Sequence, residues 1–333
     1  MNTCRQYRRL TLLAAAVTAA SMLAACGSSA SSSPPTAKRL ANVSLAITGG
    51  GSTKLVSDVA SAEGYFKKQG LKVSVSSLST SLAIEAVDSG KIDFVLGGAT
   101  TANVAAIRGG AARVLSVIAH KESFVVVARK GITNVSQLTG KTVAGSGVTS
   151  ANTTLFENML KQKGIPASEV HILNQSGQSQ GQVSLLLAGK VDAVVIDYAY
   201  YVNLPAGYNV IYNFATSPFQ GMYDAVITTN KYASANQSQT AAIITSLTEA
   251  ARFIKSHKTV VTPLIATDFS VSKANAPRVW SVLQSVYSSE PKASQSLIKS
   301  QIQQDEQTAS ANGVKASKLF SWSYIPQALT QSG

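Results

Sequence analysis

Short apolar runs alternate along the chain with segments that repeat their apolar residues at helical spacing. Residues 43–47 and 71–78 are of the first kind and predict strands, whereas residues 55–69 have the spacing of a helix that Gly70 can end. The rhythm continues to residue 128 and restarts after Gly131. Alternating strands and helices predict mostly parallel sheets with helices packed on both faces, which is an α/β fold.

The same apolar patterns predict the remaining strands and helices. Further strands are predicted at residues 92–96, 113–118, 124–128, 141–144, 170–173 and 193–196, and further helices at residues 82–88, 101–108, 151–162 and 183–188. From residue 237 the pattern changes to long helices, at residues 240–256, 274–288 and 294–309. The stretch 319–329 contains Trp322 and Tyr324, which we expect to cover an apolar surface.

Two segments of the chain echo each other. Residues 86–95 read AVDSGKIDFV and residues 186–195 read LLAGKVDAVV. Gly90 and Gly189 each lie between a helix and a short apolar strand, where a left-handed glycine can end the helix. We therefore expect Asp93 and Asp192 to cap turns instead of contacting a ligand. The echo predicts two related halves, and ligands of open α/β sheets bind beyond the carboxyl ends of the strands, so the halves would form a cleft.

The amino terminus has the pattern of an export signal. A basic start precedes an apolar stretch at residues 10–23, which is too short to span a bilayer as a mature helix. The run LAAC that ends at Cys26 resembles the lipobox of bacterial lipoproteins, which implies a lipid on Cys26 and cleavage before it. An ordinary secretory signal that contains a cysteine is the alternative. Residues 1–25 are thus predicted to be a signal peptide, and the Ser- and Pro-rich residues 26–41 a flexible linker.

Composition narrows the function further. The chain has 333 residues, more than a single core usually holds, so two lobes are expected. Cys4 and Cys26 are its only cysteines, which leaves the folded part without a thiol or a disulfide. The net charge is +13, but the basic residues are scattered without a run of five or more. This favours a solvated basic surface near anionic lipid over nucleic-acid binding.

Four segments in one order carry a family resemblance: EGYFKKQGLKV (63–73), GKIDF (90–94), LTGKTVA (138–144) and AGKVDAVVID (188–197). Behind a lipobox, they resemble the solute-binding lipoproteins of ABC importers, in the SsuA/THI5-like branch that serves nitrate, aliphatic sulfonates, taurine and thiamine-precursor pyrimidines. The resemblance implies a type II periplasmic binding protein fold, with two doubly wound lobes joined by two hinge strands. The implied boundaries are 42–125 and 226–333 for lobe 1, 126–225 for lobe 2, and 124–129 and 224–229 for the hinge.

The turns that follow the inner strands supply candidate ligand contacts. In the second half, Ser146, Thr149 and Ser150 lie in such a turn, and Thr149 or Ser150 can cap the next helix, whose start favours a carboxylate, sulfonate or phosphate. A plain capped helix without a ligand is the alternative. In the first half the matching candidates have hydroxyl groups or permit close backbone approach: Gly50, Ser52, Thr53, Thr100 and Thr101.

An acid and two tyrosines complete the candidate set. Asp197 can accept hydrogen bonds from an amine or a ring N–H, and Tyr198 and Tyr223 can stack or donate their hydroxyls. An unpaired carboxylate repels an anion. Asp197 in the cleft would therefore favour a zwitterion or a nitrogen heterocycle over a simple anion.

The patterns of common enzymes are missing from the sequence. His120, His171 and His257 are isolated, no GxSxG elbow occurs, and the glycine-rich residues 49–54 do not match a P-loop. We therefore predict no catalytic residue, metal site or cofactor.

The leading hypothesis is a monomeric, exported receptor, anchored by lipid on the periplasmic or extracellular face of the cell membrane. It would capture a small organic or anionic solute, such as a sulfonate, taurine, nitrate or a pyrimidine, between its lobes. It would then deliver the solute to an ABC permease and its ATPase. A tethered sensor of the same fold and a cleft enzyme are the alternatives.

Overall fold

The computed structural model describes residues 39–147, 150–175 and 179–330, so the predicted signal peptide, Cys26 and Thr149 lie outside the described residues. The strands alternate with helices along most of this length, as the apolar pattern predicts. In chain order the strands are β1 (Ala41–Thr48), β2 (Leu71–Leu78), β3 (Phe94–Gly97), β4 (Ala112–Ala119), β5 (Phe124–Ala128), β6 (Thr142–Gly145), β7 (His171–Asn174), β8 (Ala193–Asp197), β9 (Asn209–Asn213) and β10 (Asp224–Thr229).

Two five-stranded sheets contain all of these strands, and they have the same internal arrangement. Their strand orders are β2-β1-β3-β10-β4 and β7-β6-β8-β5-β9. In the first sheet β1 is parallel to β2 and β3, while β10 is antiparallel to β3 and β4. In the second, β6 is parallel to β7 and β8, while β5 is antiparallel to β8 and β9. The prediction of an α/β fold with two related halves is confirmed.

Helices cover the faces of both sheets. They are α1 (Ser52–Ala62), α2 (Tyr65–Lys68), α3 (Thr80–Asp88), α4 (Ala99–Ile107), α5 (Ala151–Gln162), α6 (Ser179–Leu187), α7 (Tyr198–Tyr201), α8 (Asn230–Ala235), α9 (Gln237–Ser256), α10 (Lys258–Asp268), α11 (Ala276–Val286), α12 (Gln295–Ala309) and α13 (Ala316–Leu319). Across the three described ranges, none of the helices has the length and apolar character needed to cross a bilayer.

The prediction of one continuous helix at residues 55–69 is wrong. Gly64 has a φ of 71°, a left-handed conformation that ends α1 and starts the short α2. The sequence pattern also missed β9 and α10. Pro263 lies inside α10, where its missing N–H weakens the helical pattern, but Val261 and Ile265 are buried and pack that helix onto the core.

Successive side chains of the central strands point to opposite faces of their sheet, so the core forms one layer on each face. In β1, Leu45 packs into one cluster of buried residues and Ala46 into another. In β5, Val126 and Val127 separate in the same way. Trp322 and Tyr324 pack against the two clusters of the first sheet, so the expectation that they cover an apolar surface is confirmed.

The two glycines of the sequence echo have the backbone conformation expected of them. Gly90 has a φ of 74° and Gly189 a φ of 66°, both left-handed. Asp93 Oδ2 accepts hydrogen bonds from the amide nitrogen of Ser44 at 2.7 Å and from its hydroxyl at 2.8 Å. Asp192 Oδ2 accepts from the amide of Thr142 at 2.9 Å. Both acids therefore bind the chain itself, but they join neighbouring strands instead of capping turns as predicted, because Ser44 lies in β1 and Thr142 begins β6.

The chain passes between the sheets through residues 120–123 and residues 214–223. β5 and β10, the predicted hinge strands, each lie inside a sheet with a partner on both sides. Because the passages come immediately before these strands, Phe124 and Val125 pair in the second sheet, although they fall within the predicted lobe 1. Asp224 and Ala225 pair in the first sheet, although they fall within the predicted lobe 2. The lobe boundaries themselves stay a prediction.

Candidate ligand-binding cleft

A cavity of about 1080 Å³ lies at the carboxyl ends of the inner strands of both sheets. Thr48 and Gly98 bring the ends of β1 and β3 to it, and Ser146 and Asp197 bring the ends of β6 and β8. This is where open α/β sheets bind ligands, because the loops and helix starts at these ends diverge and leave a crevice. Both sheets therefore contribute to one concave site of the size that holds a small molecule.

About half of the residues that line the cavity are polar but uncharged. Hydroxyl and amide side chains come from both halves: Thr48, Ser52, Thr53, Thr80, Thr100, Thr101, Ser146, Ser150, Thr154, Asn158, Ser179, Gln180, Asn203, Gln220, Ser270, Gln301, Gln304, Gln307 and Thr308. Five aromatic rings also line it: Phe124, Tyr200, Phe219, Tyr223 and Phe269. The acids are Glu122, Asp197, Asp224 and Asp268. Within the described ranges no lysine, arginine, histidine or cysteine lines the cavity.

The structure brings most of the predicted contact residues to this cavity. Nine of them line it: Gly50, Ser52, Thr53, Thr100, Thr101, Ser146, Ser150, Asp197 and Tyr223. Tyr198 packs instead against two apolar clusters, with its ring centroid 5.5 Å from that of Tyr201, and Tyr200 faces the cavity in its place. A four-residue helix turns successive side chains by about 100°, and the sequence does not reveal which one turns inward.

The glycine turn after β1 is built for close approach. Gly49 and Gly51 have φ values of 82° and 52°, which other residues rarely adopt. A Cβ atom on Gly50 would meet nothing within 4 Å, so this position opens into the cavity. The turn is held from behind, because the buried hydroxyl of Tyr287 donates to the carbonyl oxygen of Ser52 at 2.7 Å.

Thr53 has a role that differs from the predicted one. Its side chain is buried, and its hydroxyl donates to Asp224 Oδ1 at 2.7 Å instead of pointing at a ligand. Asp224 is the first residue of β10 and lines the cavity. Burial raises the pKa of Asp224, although the hydrogen bond from Thr53 opposes the rise. Thr53 therefore positions a carboxylate that the sequence pattern did not single out.

The start of α5 lies at the cavity as predicted, but its serine side chains form hydrogen bonds other than the predicted helix cap. Ser150 is the residue before the first helical one, and its hydroxyl donates to the carbonyl of Gly147 at 2.7 Å, so it does not cap the helix. Ser146 accepts hydrogen bonds from the amides of Asn152 at 2.7 Å and Gln182 at 2.8 Å. Two donors aimed at the Ser146 oxygen leave its own proton available to a ligand.

A network on the carboxy-terminal helix α12 also reaches the cavity, and sequence reasoning missed it. Gln301 donates to the hydroxyl of Thr100 at 3.0 Å and to Asp305 Oδ1 at 2.9 Å. Asn103 donates to Asp305 Oδ2 at 2.7 Å. The only signal was the i, i+4 spacing of Gln301 and Asp305 on a polar helix, which is common on exposed faces.

Two acids, Asp197 and Glu122, lie near each other where the chain passes between the sheets. Asp197 Oδ1 accepts from the amide of Ala199 at 2.8 Å and caps α7, while its Oδ2 accepts from the Ser123 hydroxyl. Burial raises the pKa of Asp197, and these hydrogen bonds oppose the rise. For Glu122, in residues 120–123, burial raises the pKa well above its ordinary value, and the charges of Asp224 and Asp197 raise it further. Glu122 was not among the predicted residues, because a lone acid in a short connection carries no pattern.

Tyr223 packs over Gly221 beside these acids. A Cβ atom on Gly221 would lie 2.7 Å from Cζ of Tyr223, so only a glycine leaves room for the ring. Burial raises the pKa of Tyr223, and the charge of Glu122 adds to the effect, so the phenol stays protonated. Among the described residues, no group of three or more histidines, cysteines or acids is placed to hold a metal ion.

The two sheets and the crevice between them define a two-lobed type II periplasmic binding protein fold, and the family follows from the sequence. Residues 57–259, more than half of the chain, match the family model described as NMT1/THI5 like. The chain belongs to the NMT1/THI5-like family. A comparison with curated proteins found no match.

Solved structures share the fold. The periplasmic aliphatic sulphonate binding protein SsuA of Escherichia coli superposes with a TM-score of 0.67 at 19% identity, over 81% of this chain and 92% of that chain. A putative sulfonate-binding SsuA of Methylobacillus flagellatus KT gives 0.70 at 16% identity, over 88% and 95%. The desulfurization enzyme DSZB gives 0.61 at 14% identity, over 87% and 98%. The fold thus carries both binding proteins and an enzyme.

Proposed function

We propose that this protein is the extracytoplasmic solute-binding component of an ABC importer, which captures a small solute in the cleft and delivers it to a permease and its ATPase. The observation that carries the proposal is the cavity of about 1080 Å³ lined from both sheets. A solute that contacts both halves would bind the closed state more tightly than the open one and would hold it shut. The family, and the binding proteins that share the fold, support this role.

The proposed contacts are the nine predicted residues that line the cavity, joined by Glu122, Tyr200 and Asp224. Backbone approach at Gly50 and the Ser146 hydroxyl would supply hydrogen bonds from opposite halves. The predicted division into lobes at residues 42–125, 126–225 and 226–333 belongs to the same proposal, with each crossing moved two residues earlier, because residues 124–125 pair in the second sheet and residues 224–225 in the first. Bending would occur at residues 120–123 and 214–223, where the chain crosses between the sheets.

Placement outside the cell is also part of the proposal. A signal peptide at residues 1–25, a lipid on Cys26 and a linker at residues 26–41 would hold a monomer at the outer face of the membrane. One acyl group binds a membrane only marginally, so the anchor would need the several chains of a lipoprotein.

An enzymatic role has one observation in its favour, the shared fold of DSZB. The cavity lining offers serine hydroxyls, but within the described ranges it includes no histidine or lysine to serve as their base. His120 lies outside the lining, and burial lowers its pKa to about 4. Incubation with each captured compound, followed by mass spectrometry, decides the matter: recovery of the compound unchanged supports the binder, and a product supports the enzyme.

The binding proposal is tested by thermal-shift screening of the full-length protein against small solutes, followed by small-angle X-ray scattering with each hit. We expect stabilisation together with a smaller radius of gyration. Gly50→Phe should abolish both, because the ring fills open space in the cavity. Ala188→Phe, at an exposed position just after α6, is the matched control and should keep them. Hits that still stabilise Gly50→Phe fully would place binding elsewhere.

A further inference from the structure

Three carboxylates line the cavity without a basic partner. Glu122, Asp197 and Asp224 all face it. A fourth acid, Asp268, forms an ion pair with Lys54, whose ammonium group also contacts Asp58. The described part of the chain provides no ion pair for the other three acids. The charge of the chain is +13, so basic residues are plentiful but lie outside the cavity.

Asp224 has a vacant acceptor. Its Oδ1 takes the hydrogen bond from Thr53, but its Oδ2 is buried and accepts no hydrogen bond from the described residues. The Ser52 side chain lies close enough to favour the ionised form, but its hydroxyl forms no hydrogen bond with Oδ2. Only 4% of Asp224 is exposed. Leaving a buried carboxylate oxygen unpaired is costly, which points to a donor that arrives with the ligand.

Glu122 has even fewer polar contacts than Asp224. It forms no hydrogen bond or ion pair with any residue that the structure describes, and it lines the cavity near Asp224 and Asp197. Both of these charges act on it, and Tyr223 lies close enough to respond to its charge. The ionised form of a carboxyl group beside two like charges is destabilised until a positive group comes between them.

An anionic solute would meet no compensating side chain here. The start of α5 offers partial positive charge, but a helix terminus supplies only about half an elementary charge. When they are ionised, the three carboxyl groups outweigh it at short range, because like charges repel more strongly away from bulk water. The helix start is thus better suited to a neutral acceptor group on the ligand than to a sulfonate or nitrate.

We infer that the solute is an organic cation, whose amine, amidine or guanidine N–H groups bind between Glu122, Asp197 and Asp224. The inference rests on the proposed function and names its class of ligand. A bare metal ion fits less well, since no group of three or more described acids is placed to coordinate one. The five rings that line the cavity add faces on which a cation can rest, and the surrounding hydroxyls and amides can bind the rest of a polar molecule.

The experiment uses the full-length protein and probes that share a skeleton but differ in charge. Putrescine, agmatine and benzylamine are the cations, 1,4-butanediol and benzyl alcohol their neutral counterparts, and succinate, butanesulfonate and benzoate the anions. Taurine is the zwitterion, and Ca²⁺ and Mg²⁺ test for a metal. Thermal shift and calorimetry should find binding among the organic cations and weaker or no binding of their neutral and anionic counterparts.

Glu122→Gln provides the sharpest variant, because Glu122 makes no hydrogen bond that holds the described fold. It should weaken binding of the cationic probe by about tenfold or more, the usual value of a charge-assisted hydrogen bond. Glu85→Gln, an exposed acid on α3, is the matched control and should bind like the parent. Asp224→Asn should also weaken binding of the cationic probe. The Asn side chain keeps an Oδ1 atom that can still accept the hydrogen bond from Thr53.

The number of protons released or taken up on binding distinguishes cations from anions, because the two should change it in opposite directions. Glu122 faces Asp197, Asp224 and Tyr223, and the Lys54–Asp268 pair lies at the same cavity. A cation favours the ionised carboxylates, so its binding should release protons, whereas an anion should cause uptake. Calorimetry in buffers of different ionisation enthalpy measures this, and Glu122→Gln should reduce the release.

The outcomes separate the two proposals. Cation binding that Glu122→Gln weakens supports the inference. Tight binding of an anion or a neutral probe, with no preference for its cationic counterpart, overturns the inference and leaves the solute-binding proposal standing, and so does binding of the divalent ions alone. Failure of every probe overturns the inference and also counts against the proposed function.

Discussion

The hydroxyl of Thr53 donates a 2.7 Å hydrogen bond to Asp224 Oδ1, and this bond joins the first turn of α1 to the first residue of β10. The two residues are 171 positions apart in the chain. Both are buried, so the bond holds a carboxylate at the cavity that would otherwise have no partner on either oxygen.

Thr53→Val should therefore destabilise the protein. The substitution keeps the shape of the side chain but leaves Asp224 buried with two unpaired oxygens, a loss of about 1–3 kcal/mol in the free energy of unfolding. Urea denaturation measures it. Thr154→Val is the control, because Thr154 also lines the cavity but its hydroxyl makes no hydrogen bond with the described residues, and its effect should be smaller. Equal effects of the two substitutions would show that the Thr53–Asp224 bond does not hold the fold.

Stability should fall as the pH rises from about 4 to about 7. Burial raises the pKa of Asp305 to about 7, although hydrogen bonds from Gln301 and Asn103 oppose the rise. An unfolded Asp titrates near pH 4, so between about pH 4 and about pH 7 the folded state keeps a proton that the unfolded state has lost. The stabilisation is complete below this window and is lost as the pH rises through it.

Asp305→Asn tests that dependence, since it removes the titrating group. The free energy of unfolding of the variant should decline less steeply between about pH 4 and about pH 7. The decline should not vanish, because the raised pKa values of Glu122, Asp197 and Asp224 act in the same direction. Glu169→Gln, at an exposed position, should keep the full slope. An unchanged slope in Asp305→Asn would assign the pH dependence to other groups.

Gly221→Ala should displace the ring of Tyr223. The added Cβ atom would lie 2.7 Å from Cζ and 2.9 Å from Cε2 of that ring, closer than atoms can pack. We expect a loss of about 1–3 kcal/mol in the free energy of unfolding, as for other overpacked sites, and weaker binding of the solute found by screening. At Gly98, also in the cavity wall, an added Cβ would meet its nearest neighbour at 3.7 Å. Gly98→Ala should thus change little, and equal losses in both variants would contradict the role of the Tyr223 ring.

Cys26→Ser should release the protein from membranes, because the predicted lipid needs a thiol. Fractionation of cells followed by immunoblotting measures the membrane-bound share. Cys4→Ser removes the other cysteine, which would leave with the signal peptide, and it should leave the protein attached. Retention of Cys26→Ser in the membrane fraction would rule out lipid at this position as the anchor.

Local patterns were enough to predict the layout of the fold. The period-2 and period-3.6 runs placed most strands and helices, and the echo of Gly90 and Gly189 predicted two related halves, which the matching strand orders of the two sheets reflect. These signals are local, because each depends on residues a few positions apart. Where a local signal was weak, as in α10 with its internal Pro263, packing against the core formed the helix nevertheless.

The turns at the ends of the strands could also be read from the sequence, since glycine and hydroxyl residues have positional meaning there, and nine of the predicted contacts line the cavity. The electrostatic character of the cavity could not be read in this way. Glu122, Asp197 and Asp224 come from a connection, a strand end and a strand start, and only the passage of the chain between the two sheets brings them together. The sequence by itself therefore determined the elements and the likeness of the halves, because those depend on near neighbours. The tertiary structure alone decided that a chain with a net charge of +13 presents an acidic cavity, because the charge of a site depends on which distant residues share it.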